Sequence, residues 1–78
     1  MSLQEVLSAI KEFEINFVQI TLTNDNVIHG VLQNAYAGHP NDPRGYTEPY
    51  FYVFRIDLPN NPIEKYNCEE ANEIIQIH

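Results

Sequence analysis

The strongest structural signal in this chain is the stretch VQITLTNDNVIHGVL, residues 18–32. Apolar and polar residues alternate from Val18 to Leu22, which is the pattern of a half-buried strand. Residues 24–26 are Asn-Asp-Asn; these residue types tolerate positive φ and bond to their own backbone, so they predict a tight turn. Strand character then resumes, interrupted by Gly30. A glycine inside a strand predicts a sharp bend or a close approach of two backbones.

An amphipathic helix is predicted before this hairpin, over about residues 2–14. Ser2 and Glu5 have the spacing of a capping box, in which each residue satisfies a free amide of the other at the helix start. Apolar residues then recur at steps of three and four, which predicts one buried stripe. They are Leu3, Val6, Leu7, Ile10 and Phe13.

Five strands are predicted in all, at about 17–23, 27–35, 50–58, 63–67 and 73–77. The strand at 50–58 carries apolar groups on both faces, which indicates that it is covered on both sides. Residues 36–49 are rich in glycine and proline and predict a long loop. The fold class is therefore mainly β: an N-terminal α-helix followed by a five-stranded, strongly bent antiparallel small barrel, as a single domain over residues 1–78.

The size of the chain predicts self-association. Seventy-eight residues allow one small domain, and a domain of this length buries only about 60 to 65% of its unfolded surface. The single cysteine, Cys68, forms neither an internal disulfide nor a cysteine-based zinc site. Hydrophobic residues make up 44% of the chain, which is typical of a folded protein. Oligomerisation is the expected source of the missing burial.

The charge balance excludes several classes of protein. Four Lys and Arg against eleven Asp and Glu give a net charge of -7, so a basic groove for a phosphate backbone is not expected. No apolar run is long enough to span a membrane. The start lacks the pattern of a secretory signal, which predicts a cytoplasmic location.

Residues 18–32 resemble the first half of the Sm1 motif of the Sm and Sm-like family. Leu22 and Gly30 have the spacing of that motif's strand-1 leucine and strand-2 glycine. The leading helix, the five strands and the size also look Sm-like, and the opening Ser2–Glu5 is similar to the start of bacterial Hfq. The resemblance implies a ring in which strand 4 of one subunit pairs with strand 5 of the next. Residues that offer apolar area for such an interface are Ile63, Tyr66, Ile74, Ile75 and Ile77.

The RNA-binding positions of the family are not retained. The turn glycine falls at Asp25, the aspartate of the first motif falls at Tyr36, and the Arg-Gly of the second motif falls near Glu70-Ala71. On the comparison with Hfq, the Lys-His pair that follows the strand-4 tyrosine corresponds to Asn67-Cys68. The resemblance therefore carries over the scaffold and leaves the family's RNA site unsupported.

Aromatic residues in and beside the long loop give a separate candidate site. Tyr36 and Tyr46 could stack unpaired bases, with Arg44 adding a cation, so these three are the predicted nucleic-acid-binding residues. The loop could equally serve as a contact between subunits or with a partner, or be merely solvent-exposed. The aromatic residues of the strand at 50–58 are predicted to fill the core, above all Phe51, Phe54 and Tyr52.

Metal and catalytic sites have weak support in the sequence. His29, His39 and His78 do not cluster along the chain and would need a carboxylate such as Asp42 beside them to bind a metal. Cys68 has acids around it, which disfavour a reactive thiolate, and Glu69-Glu70 is typical of a solvated acidic turn. The sequence predicts no catalytic residue, no metal site and no cofactor.

The sequence thus predicts a non-enzymatic subunit of a homo-oligomeric ring of about 5 to 7 copies. Two roles remain open: binding of RNA or another single-stranded nucleic acid, and a structural or protein-interaction ring without RNA affinity. The first requires the four cations, Lys11, Arg44, Arg55 and Lys65, to converge locally despite the net charge.

Overall fold

The computed structural model describes residues 1–77 and contains one helix and five strands. The prediction of a mainly β chain with an N-terminal helix and five strands is confirmed. The elements are α1 (Leu3–Phe13), β1 (Val18–Leu22), β2 (Val27–Tyr36), β3 (Tyr50–Arg55), β4 (Ile63–Asn67) and β5 (Ala71–Gln76), with a 3₁₀ turn at Cys68–Glu70.

The helix α1 begins with the predicted capping box. The Ser2 Oγ accepts a bond of 3.1 Å from the Glu5 amide, and the Ser2 amide donates to the Glu5 carboxylate at 2.8 Å. The bond from the Ser2 backbone also lowers the pKa of Glu5. At the other end, Glu14 has a φ of 40° and its amide bonds to the Ile10 carbonyl, which stops the helix.

The strands form one antiparallel sheet in the order β4-β3-β2-β1-β5. The sheet is bent but does not close into a barrel, because the strands at its two ends, β4 and β5, do not pair with each other. One irregularity falls between Leu32 and Ala35, where the register of β2 against β3 shifts. Such a bulge increases the local bend and twist.

The core lies between the concave side of the sheet and α1. Its largest fully buried side chains are Val6 of α1, Val18 and Ile20 of β1, and Phe51 and Val53 of β3. The predicted core role of Phe54 and Tyr52 is wrong: both are half-buried on the opposite side of β3 and lie outside the core cluster. Alternation along β3 allows only one of its two apolar faces to point inward.

Gly30 marks a close approach between β2 and β3. A Cβ at this position would lie 2.3 Å from the Phe54 carbonyl oxygen and 2.7 Å from the Val53 Cγ1 atom. Both distances are too short for any side chain, so the predicted close backbone approach is confirmed.

Arg55 is buried and joins β3 to β4. Its guanidinium makes two bonds to the Asp57 carboxylate, of 2.6 and 2.9 Å, one of 2.6 Å to Glu64 and one of 2.7 Å to the Tyr66 hydroxyl. The bonds from Arg55 lower the pKa of Asp57 from its ordinary 3.8 to about 2. Each of the three guanidinium nitrogens of this buried cation therefore donates to at least one acceptor, as burial of a charge requires.

Replacing Gly30 by alanine is expected to destabilise the protein by about 1 to 3 kcal/mol or more, because the new methyl must push β2 away from β3. Urea unfolding followed by circular dichroism measures the change. Asn34→Ala, an exposed change on the same strand, is the control and is expected within about 0.5 kcal/mol of the parent. Equal stabilities for the two variants would contradict the close packing at Gly30.

The Arg55–Asp57 pair predicts a loss of stability in acid. Because the pKa of Asp57 is lower in the folded chain, about 2 against 3.8, its contribution is present above about pH 4 and is lost as the pH falls towards 2. The urea midpoint of the parent should therefore fall more steeply over this range than that of Asp57→Asn, which has no carboxyl to titrate at 57. Parallel pH profiles would contradict the prediction.

Candidate functional site: a tyrosine cluster and two strand edges

Strand pairing places three tyrosines together on the convex side of the sheet. Tyr36 of β2 is the partner of Tyr50 of β3, and Tyr52 follows two residues later on the same face. The rings of Tyr36 and Tyr50 are stacked with centroids 5.2 Å apart, and Tyr52 meets both edge-on at 5.8 to 6.2 Å. These distances are typical of favourable aromatic pairs.

The loop at 37–49 adds a fourth ring by folding back onto β3. Gly38 has a φ of 79° and lies against the backbone of Thr47 and Glu48, where a Cβ would not fit. The His39 amide bonds to the Tyr46 carbonyl at 3.0 Å and fixes the return of the chain. Tyr46 then contacts Tyr50 edge-on at 5.1 Å. Tyr50 is only 5% exposed as a result, so the expected cover on both faces of β3 is present at this end.

Two cations lie on the tyrosine cluster, which we define as Tyr36, Tyr46, Tyr50 and Tyr52. The Arg44 guanidinium carbon is 4.4 Å from the centre of the Tyr46 ring, and the Lys65 ammonium is 4.5 Å from the same centre. Both distances fit a cation–π contact. Lys65 reaches the cluster because it is the β4 partner of Tyr52.

Asp42 neutralises one of these cations. It accepts bonds of 3.1 and 2.8 Å from the Arg44 side chain, and these bonds lower the pKa of Asp42 and raise that of Arg44. Lys65 bonds to the neutral Asn67 side chain instead, at 3.0 Å. Together, Arg44, Asp42 and Lys65 leave the cluster with one net positive charge on a chain of net charge -7.

The structure thus brings together all three residues predicted to bind nucleic acid: Tyr36, Arg44 and Tyr46. Of the four cations, Arg44 and Lys65 converge here; Arg55 is paired with Asp57 and Glu64, and Lys11 lies in the last turn of α1. Lys65 was not among the predicted nucleic-acid-binding residues, and only the register of β4 against β3 places it beside the tyrosines.

The predicted interface residues divide into two groups. Ile63, Ile75 and Ile77 are exposed by 60, 43 and 37%, as an interface in the free subunit requires. Ile74 is only 8% exposed and belongs to the core, and Tyr66 packs on Phe51 with its hydroxyl bonded to Arg55 and Glu64. Both therefore contribute chiefly within the subunit. Other exposed apolar side chains, outside the predicted interface, include Ile15 and Phe17, ahead of β1.

Backbone bonding shows which groups of the edge strands point outward. The Arg55 amide bonds to the Pro62 carbonyl and the Cys68 amide to the Pro49 carbonyl. Since bonding residues alternate in an antiparallel pair, the backbone groups of Ile63, Lys65 and Asn67 face away from β3. By the same rule, the Ile77 amide donates to the Phe17 carbonyl, so the backbone groups of Ile74 and Gln76 face away from β1. Within residues 1–77, no strand pairs with these outward groups.

The histidines and carboxylates considered as metal ligands do not assemble in the part of the chain that the structure describes. No group of three or more His, Cys, Asp or Glu side chains is placed to hold an ion among residues 1–77. His29 is paired with Gln19, and His39 accepts a bond from the Asn41 amide; His78 lies outside the described residues. Burial raises the pKa of the Cys68 thiol, which disfavours the thiolate.

Comparisons with protein-family models, with curated proteins and with solved structures find no match to this chain. Over residues 1–77, no helix has the length and apolar character needed to cross a membrane.

Proposed function

We propose that this chain is a non-enzymatic, Sm-like subunit that joins copies of itself, β4 edge to β5 edge, into a closed ring of about 5 to 7 subunits. The observation that carries the proposal is the pair of outward-facing strand edges at opposite ends of one small sheet. Two different surfaces that complement each other give a head-to-tail interface, and such an interface closes into a ring when its rotation allows.

Three further features support self-association. An open strand edge is an exposed template for pairing, and strand addition satisfies its backbone groups. Ile63 on β4 and Ile75 on β5 are exposed beside these edges and would lose water on pairing. A domain of 78 residues without an internal disulfide also gains the burial that its small core lacks.

Proline substitutions at the two edges test the proposal. Asn67 has a φ of -73°, which a proline adopts without strain, and the amide that Asn67→Pro removes faces outward. Gln76→Pro removes an outward amide on β5. We expect either change to convert the oligomer to smaller species in sedimentation velocity at micromolar concentration. Asn67→Ala and Gln76→Ala keep the amides and are the controls, which should remain assembled.

Mixing the two proline variants distinguishes a head-to-tail ring from other assemblies. Asn67→Pro keeps an intact β5 edge, and Gln76→Pro keeps an intact β4 edge, so an equimolar mixture should form heterodimers and nothing larger in native mass spectrometry. A parent protein that stays monomeric at tens of micromolar would contradict the proposed ring.

A second function, binding of single-stranded nucleic acid, is favoured by the tyrosine cluster. Arg44 and Lys65 lie on Tyr46, and the neighbouring Tyr36 ring is partly exposed. A base stacked on Tyr36 would bring its phosphates near these cations, whereas the net charge of -7 disfavours binding anywhere else on the subunit.

Fluorescence anisotropy with labelled oligo-U and oligo-A RNA tests this second function. Tyr36→Ala is expected to weaken binding about tenfold, since one stacked base contributes on the order of 1 to 3 kcal/mol. Arg44→Ala should weaken binding, while Lys11→Ala, with the same change in charge, should not. With two phosphate contacts, the salt slope should be about -1.4. No binding at low salt, or equal effects of Arg44→Ala and Lys11→Ala, would contradict the nucleic-acid role.

A further inference from the structure

A groove of about 360 Å³ runs between α1 and β5, beside the outward-facing edge of β5. Ala9, Phe13 and Ile74 line its apolar floor, and Glu5 and Glu12 stand among its polar lining. The groove therefore combines an apolar surface with two acids and, at Met1, the N-terminal ammonium, which donates to the Cys68 and Ala71 carbonyls. It lies on the side of the sheet that α1 covers.

Backbone geometry determines which side chains of an added strand enter this groove. In an antiparallel pair, residues whose backbone groups face each other are direct partners, and partners project their side chains to the same side of the sheet. The outward residues of β5 are Ile74 and Gln76, and Ile74 lines the groove. An incoming antiparallel β4 presents Ile63, Lys65 and Asn67 as its outward residues, so the side chains of Ile63 and Lys65 would point to the side of Ile74.

The side chains presented by β4 match the groove in chemistry. Ile63 is the most exposed apolar side chain on either edge strand, and the apolar floor offers it cover. Lys65 is the only cation on the two edge strands and would approach the acids of the lining. Among residues 1–77, the partners of its ammonium in the free subunit are neutral, Asn67 and the tyrosine rings, so it can turn without breaking an ion pair with any of them.

We propose that the α1–β5 groove is the receptor for Ile63 and Lys65 of a second copy of this chain. The inference rests on the proposed ring and names its side-chain contacts: Ile63 of the incoming copy packs over Ile74, Ala9 and Phe13, and Lys65 lies against Glu5 and Glu12. The helix α1 then has two roles. One face covers the core of its own subunit, and the adjoining face receives the neighbour.

Filling the groove tests this inference without altering either strand edge. Ser8 lines the groove and is exposed, so Ser8→Trp should block Ile63 of the neighbour while leaving the subunit folded. We expect this variant to dissociate in sedimentation velocity at concentrations where the parent is assembled. Lys11→Trp adds the same ring to an exposed helix position outside the groove and should remain assembled.

A charge reversal gives a second test, in which the effect expected from the groove contact is opposite to the effect expected from the net charge. Glu12→Lys reduces the net charge of each copy from -7 to -5, which by itself favours association, yet it should weaken assembly because it faces Lys65 of the neighbour. Glu14→Lys makes the same change of charge outside the groove and should leave assembly intact or strengthen it.

The outcomes separate this inference from the proposed ring. Dissociation of Ser8→Trp and Glu12→Lys, with both controls assembled, supports the groove as the receptor. Assembly of both groove variants, together with dissociation of Asn67→Pro, overturns the groove contact and leaves strand addition in place. A parent protein that is monomeric throughout overturns both.

Discussion

A sheet of five short strands that does not close is the constraint on which the rest of this structure depends. One small core lies against its concave side. The apolar face of α1, a helix that begins at the Ser2–Glu5 capping box, covers that core. The close approach at Gly30 lets β2 lie directly against β3 where any side chain would separate them. Because the sheet is open, β4 and β5 lie at its two ends, and the outward amides and carbonyls of these strands have no strand to pair with among residues 1–77.

The convex side of the sheet also carries apolar side chains that must be covered. β3 is apolar on both faces, so the side turned away from the core also needs cover. The loop at 37–49 supplies it by laying Tyr46 and Arg44 over Tyr50, and the Asp42 carboxylate holds Arg44 in place. A loop that is long for so small a domain is thus an ordered part of the fold. With Lys65 of β4, it forms an aromatic surface on which Arg44, Asp42 and Lys65 leave one net positive charge, on an otherwise acidic chain.

Local sequence patterns predicted the helix and the strands, whereas the pairing of the strands determines which side chains meet at the candidate sites. Ser2 and Glu5 predicted the helix start, and Gly30 predicted the close backbone approach. The sequence does not show whether Ile74 or Ile75 faces the core, because both are isoleucine. The register of β5 against β1, in which Ile74 is the partner of Ile20, shows that Ile74 does. Lys65 joins the tyrosines through its register with Tyr52, across strands that are separate in sequence. The bulge after Leu32 likewise shifts the faces of β2 in a way that alternation does not predict.

Lys65 links the two proposed functions through a single side chain. In the free subunit its ammonium lies over Tyr46, where it would meet the phosphate of a stacked nucleotide. In the ring it would turn towards Glu5 and Glu12 of the neighbour. If both proposals hold, a ligand that binds Lys65 at the tyrosine cluster would withdraw it from the groove, and assembly would withdraw it from the ligand. Coupling between two binding equilibria is reciprocal, so each process would weaken the other by the same free energy. Because Arg44 and the apolar floor of the groove would act without Lys65, this coupling would adjust the two equilibria and abolish neither.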